Sequence, residues 1–272
     1  MNAIVTLPLV LAVVLVELAT GGAFLVWYLD RRGQAPGGFL KLTASVDAVC
    51  AAAAVGLIPT IIPSDLALVG LDAGPLASFG QALVVFLIVC VIQAALTFLP
   101  SGLKDLRSVA GAIAVLVGVG TLEVAAISRP ASSPFDVFAL AALPCGALAL
   151  GGACGAMLLG HWYLVTPKLS PAPLQTGALV VVAAVALQIA IVAVTFGRGD
   201  LVGTTTQVGL IVATGIRVGV GLLMTLGVAL AGWWTAKMNT QSSTGLLYVG
   251  LGTALAGEIS ARVLFFLTGV AV

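Results

Sequence analysis

Residues 174–196 read LQTGALVVVAAVALQIAIVAVTF, a run of 23 residues without a charged side chain. A helix that crosses the hydrocarbon core of a bilayer needs about 20 predominantly apolar residues. Backbone groups in lipid must form their hydrogen bonds within their own segment, so such a run becomes a helix. This stretch therefore predicts a transmembrane helix.

The composition extends that prediction to the whole chain. Of its 272 residues, 61% are hydrophobic and 8% are charged, whereas a soluble domain averages about 25% charged residues. So few charges cannot cover a water-facing surface, which excludes a soluble enzyme. Disorder is excluded because disordered chains are poor in apolar residues. The net charge of +1 gives no indication of a nucleic-acid partner, and the lipid bilayer is the expected partner.

Eight segments are long and apolar enough to cross a membrane. Each is continuously apolar rather than alternating, which argues against a β-barrel. We therefore predict an all-α integral membrane protein with eight transmembrane helices in a single domain, residues 1–272. The predicted spans are 6–29, 42–62, 80–99, 109–128, 137–165, 174–196, 208–235 and 244–270.

The basic residues predict an orientation. The four loops on one side contain seven Lys and Arg residues, whereas the side with both termini contains only Arg129 and Arg198. Cytoplasmic loops carry the excess of basic residues, so both termini are expected outside the cytoplasm, in the cytoplasmic (inner) membrane. No basic residue precedes the first apolar run, which is also too long for a cleaved signal peptide.

Two short motifs recur four helices apart. Residues 117–121 (VGVGT) resemble residues 249–253 (VGLGT), and Trp-Tyr-Leu occurs at both 27–29 and 162–164. This spacing favours two four-helix halves in a parallel repeat, residues 1–133 and 134–272. Chance similarity between helices rich in Gly, Ala and Val is the alternative.

Ionisable residues inside the predicted spans are the candidates for chemistry, because each costs about 2.5–3.5 kcal/mol at a helix centre on insertion scales. Glu258 and Arg262 are four residues apart and can pair on one helix face. One interpretation is a polar pocket open toward the outer face; the other is structural pairing of Glu258 with Arg262 and of Glu123 with Arg217. The six residues are Glu17, Asp47, Glu123, Arg217, Glu258 and Arg262.

The remaining polar residues point mainly to structural roles. Asp47 lies close to the cytoplasmic end of its predicted span, where a structural role is expected. Gln81, Gln93 and Gln188 are each predicted to form hydrogen bonds between helices. His161, beside Trp162 and Tyr163, is predicted to lie at the membrane interface. Four cysteines without CxxC spacing indicate neither a zinc site nor a disulfide framework, and a single histidine excludes bis-His haem ligation.

Three stretches resemble a known family. Residues 7–10 (LPLV) with 21–26 (GGAFLV), residues 255–266 (LAGEISARVLFF) and residues 155–160 (GAMLLG) resemble the first, last and fifth helices of DMSO reductase membrane anchor subunits. This is the DmsC family, which is related to NrfD-type anchors. It has eight helices with both termini outside, the same arrangement that the residues predict independently.

The resemblance implies a function. Such anchors contain no haem, bind a quinol near the outer face and hold an iron–sulfur subunit, which exchanges electrons with a molybdopterin catalytic subunit. Glu258 and Arg262 fall on the Glu and Arg of the last-helix motif. The family's histidine after the second helix has no counterpart, since residues 63–79 contain no His. Either Glu123, Glu258 or Glu17 would have to receive the quinol proton instead, or the protein does not oxidise quinol.

The sequence therefore predicts the anchor subunit of a respiratory oxidoreductase, with a quinone (menaquinone or ubiquinone) as its cofactor and no haem or metal in this chain. Two other classes stay open: a proton-coupled or anion transporter in which Arg217 or Arg262 binds the anion, and a purely structural subunit of a membrane electron-transfer complex. The predicted quinone-binding and proton-transfer residues are Glu258, Arg262, Glu123, Arg217 and Glu17.

Overall fold

The chain folds into an all-helical bundle, seen in a computed structural model that describes residues 3–67, 69–99, 103–130, 136–166, 169–199 and 208–272. Within these ranges, eight segments are long and apolar enough to cross a membrane, which confirms the predicted fold class and makes the chain a multi-pass membrane protein. The described residues contain no β-strand. The helices are α1 (Ala3–Arg31), α2 (Gly37–Gly56), α3 (Pro63–Ala67), α4 (Ala73–Thr97), α5 (Lys104–Ile127), α6 (Val137–Val165), α7 (Ala172–Arg198), α8 (Val208–Gly215), α9 (Thr225–Thr235) and α10 (Thr240–Thr268).

The seventh span is one continuous helical segment with a change of winding at its centre. Between α8 and α9, residues Ile216–Met224 form a π-helix, so that the span covers Val208–Thr235 as predicted. The Thr225 hydroxyl donates a hydrogen bond to the carbonyl of Val220, five residues earlier, as this winding allows. Segments of π-helix are rare and frequently occur at functional sites.

The helices pack in two groups of four. In the first, α1, α2, α4 and α5 contact one another in that order and α5 returns to α1; in the second, α6, α7, the α8–α9 span and α10 do the same. The two groups meet chiefly through α1 and α6, with α10 against α1 and α5 against α6. The parallel repeat, which would relate these groups by a rotation, stays a prediction.

Helix α1 is the centre of the bundle. Buried residues make up 78% of its apolar stretch, against 28% for the stretches of α2 and α4. Glycines allow its close contact with α6, because a Cβ at Gly21 would lie 1.8 Å from the carbonyl oxygen of Ala147 and one at Gly151 would lie 2.5 Å from the Cα of Gly21. Large apolar side chains such as Val85, Leu116 and Leu223 remain exposed around the outside, where lipid would cover them.

Three spans begin at least five residues earlier than predicted: α4 begins at Ala73 rather than at residue 80, α5 at Lys104 rather than at 109, and α2 at Gly37 rather than at 42. Helix α2 begins directly after Pro36, whose extended backbone precedes the first turn. Lys41 therefore lies inside the helix, where its ammonium group is 5.3 Å from the centre of the Phe98 ring. The cation thus contacts an aromatic face near the helix end instead of marking a loop.

Candidate functional site

Four charged side chains from three parts of the bundle meet in one buried cluster. Arg217 Nη1 is 2.9 Å from Glu258 Oε1, Arg262 Nη2 is 2.8 Å from Glu258 Oε2, and Arg262 Nε is 2.9 Å from Glu17 Oε1. The amide of Gln188 donates a hydrogen bond of 2.8 Å to Glu258 Oε1. We call these five residues the charge cluster. They bring α1, α7, α10 and the π-helix together at one point.

Each arginine also donates a hydrogen bond to a backbone oxygen. Arg217 Nε donates to the carbonyl oxygen of Val272 at 3.1 Å, and Arg262 Nη2 donates to that of Ala142 at 3.2 Å. All four charged side chains are at most 2% exposed. Two guanidinium groups and two carboxylates balance formally, so the burial cost of each charge is offset by a partner.

The cluster lies in one half of the membrane. Glu17 is at the middle of α1, whereas Gln188, Glu258 and Arg262 lie in the second halves of their helices and Arg217 lies in the first half of its span. Because successive spans run in opposite directions, these positions share the half of the bundle that faces the chain ends. The predicted depth is therefore confirmed relative to the chain ends, whereas the side of the membrane stays a prediction.

Glycines create the space that the cluster occupies. A Cβ at Gly146 would lie 2.6 Å from Glu258 Oε2 and 2.7 Å from both Arg262 Nη2 and Glu17 Oε1. The π-helix approaches α10 where Gly221 meets Gly257, and a Cβ at Gly221 would lie 2.4 Å from the Cα of Gly257. This contact is one residue from Glu258.

Three acceptor atoms of the cluster are buried without a hydrogen bond. Glu17 Oε1 is close to Arg262 Nε, but the pair lacks the alignment of a hydrogen bond, and Glu17 Oε2 and Gln188 Oε1 have no hydrogen-bond partner. Buried polar atoms normally find a partner, so these acceptors mark a place where a donor group can bind.

The structure brings together four of the five predicted site residues and leaves the fifth apart. Glu123 is half-buried on α5, and in the described part of the chain no ion pair includes it. The suggested pairing of Glu123 with Arg217 is wrong, because Arg217 pairs with Glu258. The pairing of Glu258 with Arg262 is confirmed.

Two of the three glutamines form the predicted hydrogen bonds between helices. Gln188 forms its interhelical hydrogen bond to Glu258, and Gln93 Nε2 donates to the carbonyl of Ala23 at 3.4 Å. Gln81 instead lies exposed on α4, away from a buried helix interface, so the hydrogen bond between helices that the sequence predicts for it is wrong. The sequence signal for Gln188 is its position, since it is a long polar side chain deep within the apolar run of residues 174–196.

Asp47 also departs from its prediction. It was expected near the end of its span, but it lies midway along α2 and is only 1% exposed. The earlier start of α2 moves it inward. His161 is exposed near the end of α6, where its Nδ1 is 3.1 Å from the Tyr248 hydroxyl.

Arg129, on the face that carries the chain ends, has a structural contact. Its Nη1 donates to the carbonyl of Ala126 at 3.1 Å, where the last carbonyls of α5 need donors. Burial lowers the pKa of its guanidinium, and the charge of Asp136 opposes that shift.

Metal ligation has no support among the described residues, where no group of three or more His, Cys, Asp or Glu side chains is placed to hold an ion. The four cysteines are free thiols.

No protein-family model matches the chain, and no curated protein or solved structure matches it. The resemblance to DMSO reductase anchors therefore rests on the quoted motifs alone.

Proposed function

We propose that the chain is the quinone-binding membrane anchor of a respiratory oxidoreductase, with the charge cluster as its proton-exchanging site. The observation that carries the proposal is the convergence of Glu17, Arg217, Glu258 and Arg262 with unpartnered acceptors beside them. Quinol oxidation releases protons, and a positioned carboxylate is one of the side chains that can accept them. The quoted first-helix and last-helix motifs agree with this class.

The chain's own residues then have distinct roles. Glu17 Oε2 and Gln188 Oε1 would accept hydrogen bonds from the hydroxyl groups of a quinol, because both atoms lack a partner. Glu258, held by both arginines, would remain ionised and orient the guanidinium groups. Glu17, with a single ion pair, is the better proton acceptor. A bound quinol supplies two electrons and two protons, and an iron–sulfur partner would take the electrons.

The enclosed cluster sets a requirement for this function. Side chains at most 2% exposed cannot receive a ring unless neighbouring helices separate. The contact of Gly221 with Gly257 lies beside the cluster and contains no side chain, so the ion pair of Arg217 with Glu258 is the interaction next to it that must break when α10 and the π-helix separate there. We propose this seam as the entry point from the lipid.

The test is quinol-linked turnover of the intact complex carrying Glu17→Gln. This change removes the proposed proton acceptor, and we expect turnover to fall by about 100-fold, the lower range for a positioned proton-transfer group. Glu123→Gln is the matched control, because it removes the same charge outside the cluster. Size-exclusion profiles verify assembly of both variants. Unchanged turnover with Glu17→Gln, or equal losses in both variants, contradicts the assignment.

A proton-coupled anion carrier is the second candidate. Arg262 contacts both Glu17 and Glu258, so protonation of Glu17 would remove one of its two carboxylates and leave the cluster with an excess positive charge that can bind an anion. Liposomes containing the chain alone and the internal pH dye pyranine test this function with an imposed nitrate gradient. Proton movement that follows the gradient and is lost in Arg262→Gln favours the carrier, and its absence favours the anchor.

A further inference from the structure

The face of the bundle opposite the chain ends carries a group of cations without carboxylate partners. At the end of α1, Asp30 forms a bidentate ion pair with Arg107 of α5, in which Arg107 Nε and Nη2 each lie 2.9 Å from a carboxylate oxygen. This pair fixes the last turn of α1 against the first turn of α5. In the described part of the chain, by contrast, no ion pair includes Arg31, Arg32 or Lys104, and all three side chains are exposed.

A glycine turn brings these three cations together. Gly33 has a φ of 65°, the left-handed conformation that glycine adopts at no steric cost. A Cβ at Gly33 would lie 3.7 Å from Lys104 Nζ, so this ammonium group lies beside the turn that directly follows Arg31 and Arg32. Asp105 is the one unpaired carboxylate in the same turns, and three cations against it leave an excess of positive charge.

Aromatic rings position both guanidinium groups and leave their N–H groups available. The guanidinium carbon of Arg32 is 4.5 Å from the centre of the Tyr28 ring, and that of Arg31 is 6.0 Å from the centre of the Trp27 ring. A cation over a ring face is attracted by the π-electrons and not by a hydrogen-bond acceptor. No described residue accepts a hydrogen bond from either guanidinium group. The planar fork of N–H donors that matches a phosphate group is therefore free on both arginines.

An aromatic strip on α1 leads from these cations toward the membrane interior. Phe24 lies one turn before Tyr28, and its ring centre is 5.8 Å from that of Tyr28 and 6.0 Å from that of Trp27. All three rings are partly exposed, so acyl chains can contact them. An acidic protein outside the membrane could reach the cations but not this strip. A phospholipid matches both features, because its phosphate is joined to apolar chains.

We propose that Arg31, Arg32 and Lys104 bind the headgroup phosphate of an anionic phospholipid, whose acyl chains pack along Phe24 and Trp27. Basic side chains beside a transmembrane helix attract anionic lipids, and each guanidinium fork can donate two hydrogen bonds to one phosphate. The excess positive charge favours an anionic headgroup over a zwitterionic one. The site lies at the opposite end of the bundle from the charge cluster and does not depend on the proposed quinone chemistry.

Native mass spectrometry of the full chain in detergent tests the proposal, with phosphatidylglycerol and phosphatidylcholine added at equal concentrations. We expect phosphatidylglycerol to bind more tightly. Its affinity should fall by about fivefold in each of Arg31→Gln, Arg32→Gln and Lys104→Gln, the usual contribution of one basic residue near an anionic lipid surface. Lys237→Gln is the matched control, because Lys237 also lies over an aromatic ring, that of Trp233, but belongs to the second group of helices. It should keep the wild-type affinity.

Three results would overturn the proposal. Equal wild-type affinities for the two lipids would leave the cations to an acidic protein and exclude the lipid site. An equal loss in Lys237→Gln would show that any positive charge at this face suffices, and that the group around Gly33 is not a distinct site. Displacement of phosphatidylglycerol by inorganic phosphate at constant ionic strength would identify a site for free phosphate, to which the acyl chains contribute nothing.

Discussion

At the scale of single residues, the charge cluster depends as much on a missing side chain as on the charged ones. Gly146 leaves the volume in which Glu17, Glu258 and Arg262 meet. The sequence indicated the charged residues, because ionisable groups are rare in apolar spans. It did not indicate Gly146, one of 33 glycines, because the need for space arises only when two other helices are in place.

Gly146→Ala should therefore destabilise the protein. The added methyl group would lie within 2.7 Å of three charged side-chain atoms and force the ion pairs apart. Overpacking of this kind costs about 1–3 kcal/mol. Gly120→Ala, in the middle of α5, meets no atom within 4 Å and is the control. The measurement is the free energy of unfolding in mixed detergent micelles. Equal stability of the two variants would show that the charge cluster can accommodate an added methyl group.

At the scale of elements, apolar run length predicted the number of membrane spans and most of their bounds. The seventh span, 208–235, agrees with the structure at both ends. The start of α2 was missed because Gly37, Gly38 and Lys41 look like a loop, although the glycines continue the helix and Lys41 contacts Phe98. The π-helix was missed because its register change leaves the apolar composition of the segment unchanged.

The π-helix makes a prediction at this scale. Gly221→Ala should separate the π-helix from α10, because its Cβ would lie 2.4 Å from the Cα of Gly257. We expect a lower free energy of unfolding by about 1–3 kcal/mol. In the intact complex, quinol-linked turnover should also fall, since Arg217 would leave Glu258. Gly219→Ala, two residues away in the same π-helix with no atom within 4 Å, should change neither quantity. Equal losses of stability and turnover in both variants would mean that any added methyl group disturbs the π-helix, and that the contact with Gly257 is not the cause.

At the scale of the whole molecule, the charge cluster joins the two groups of four helices. Glu17 belongs to the first group, and Gln188, Arg217, Glu258 and Arg262 belong to the second. The sequence could not predict this convergence, because a helix that is apolar on all sides gives no signal for its rotation about its axis. Helix α1 illustrates the difficulty: it is buried against α2, α5, α6 and α10, so its apolar pattern marks no outer face.

The ion pair between the groups gives a test of this arrangement. Glu17→Gln leaves one carboxylate for two arginines, and removing one partner of a buried pair costs about 3–5 kcal/mol. Arg262→Gln leaves the opposite imbalance and should cost a similar amount. The double variant keeps Arg217 with Glu258, which is formally neutral, so it should be more stable than either single variant. Unfolding of all four proteins in mixed detergent micelles gives the coupling energy directly. Additive losses would mean that Glu17 and Arg262 contribute independently and that other contacts hold the groups together. A double variant more stable than both singles would instead identify this pair as the electrostatic link between them.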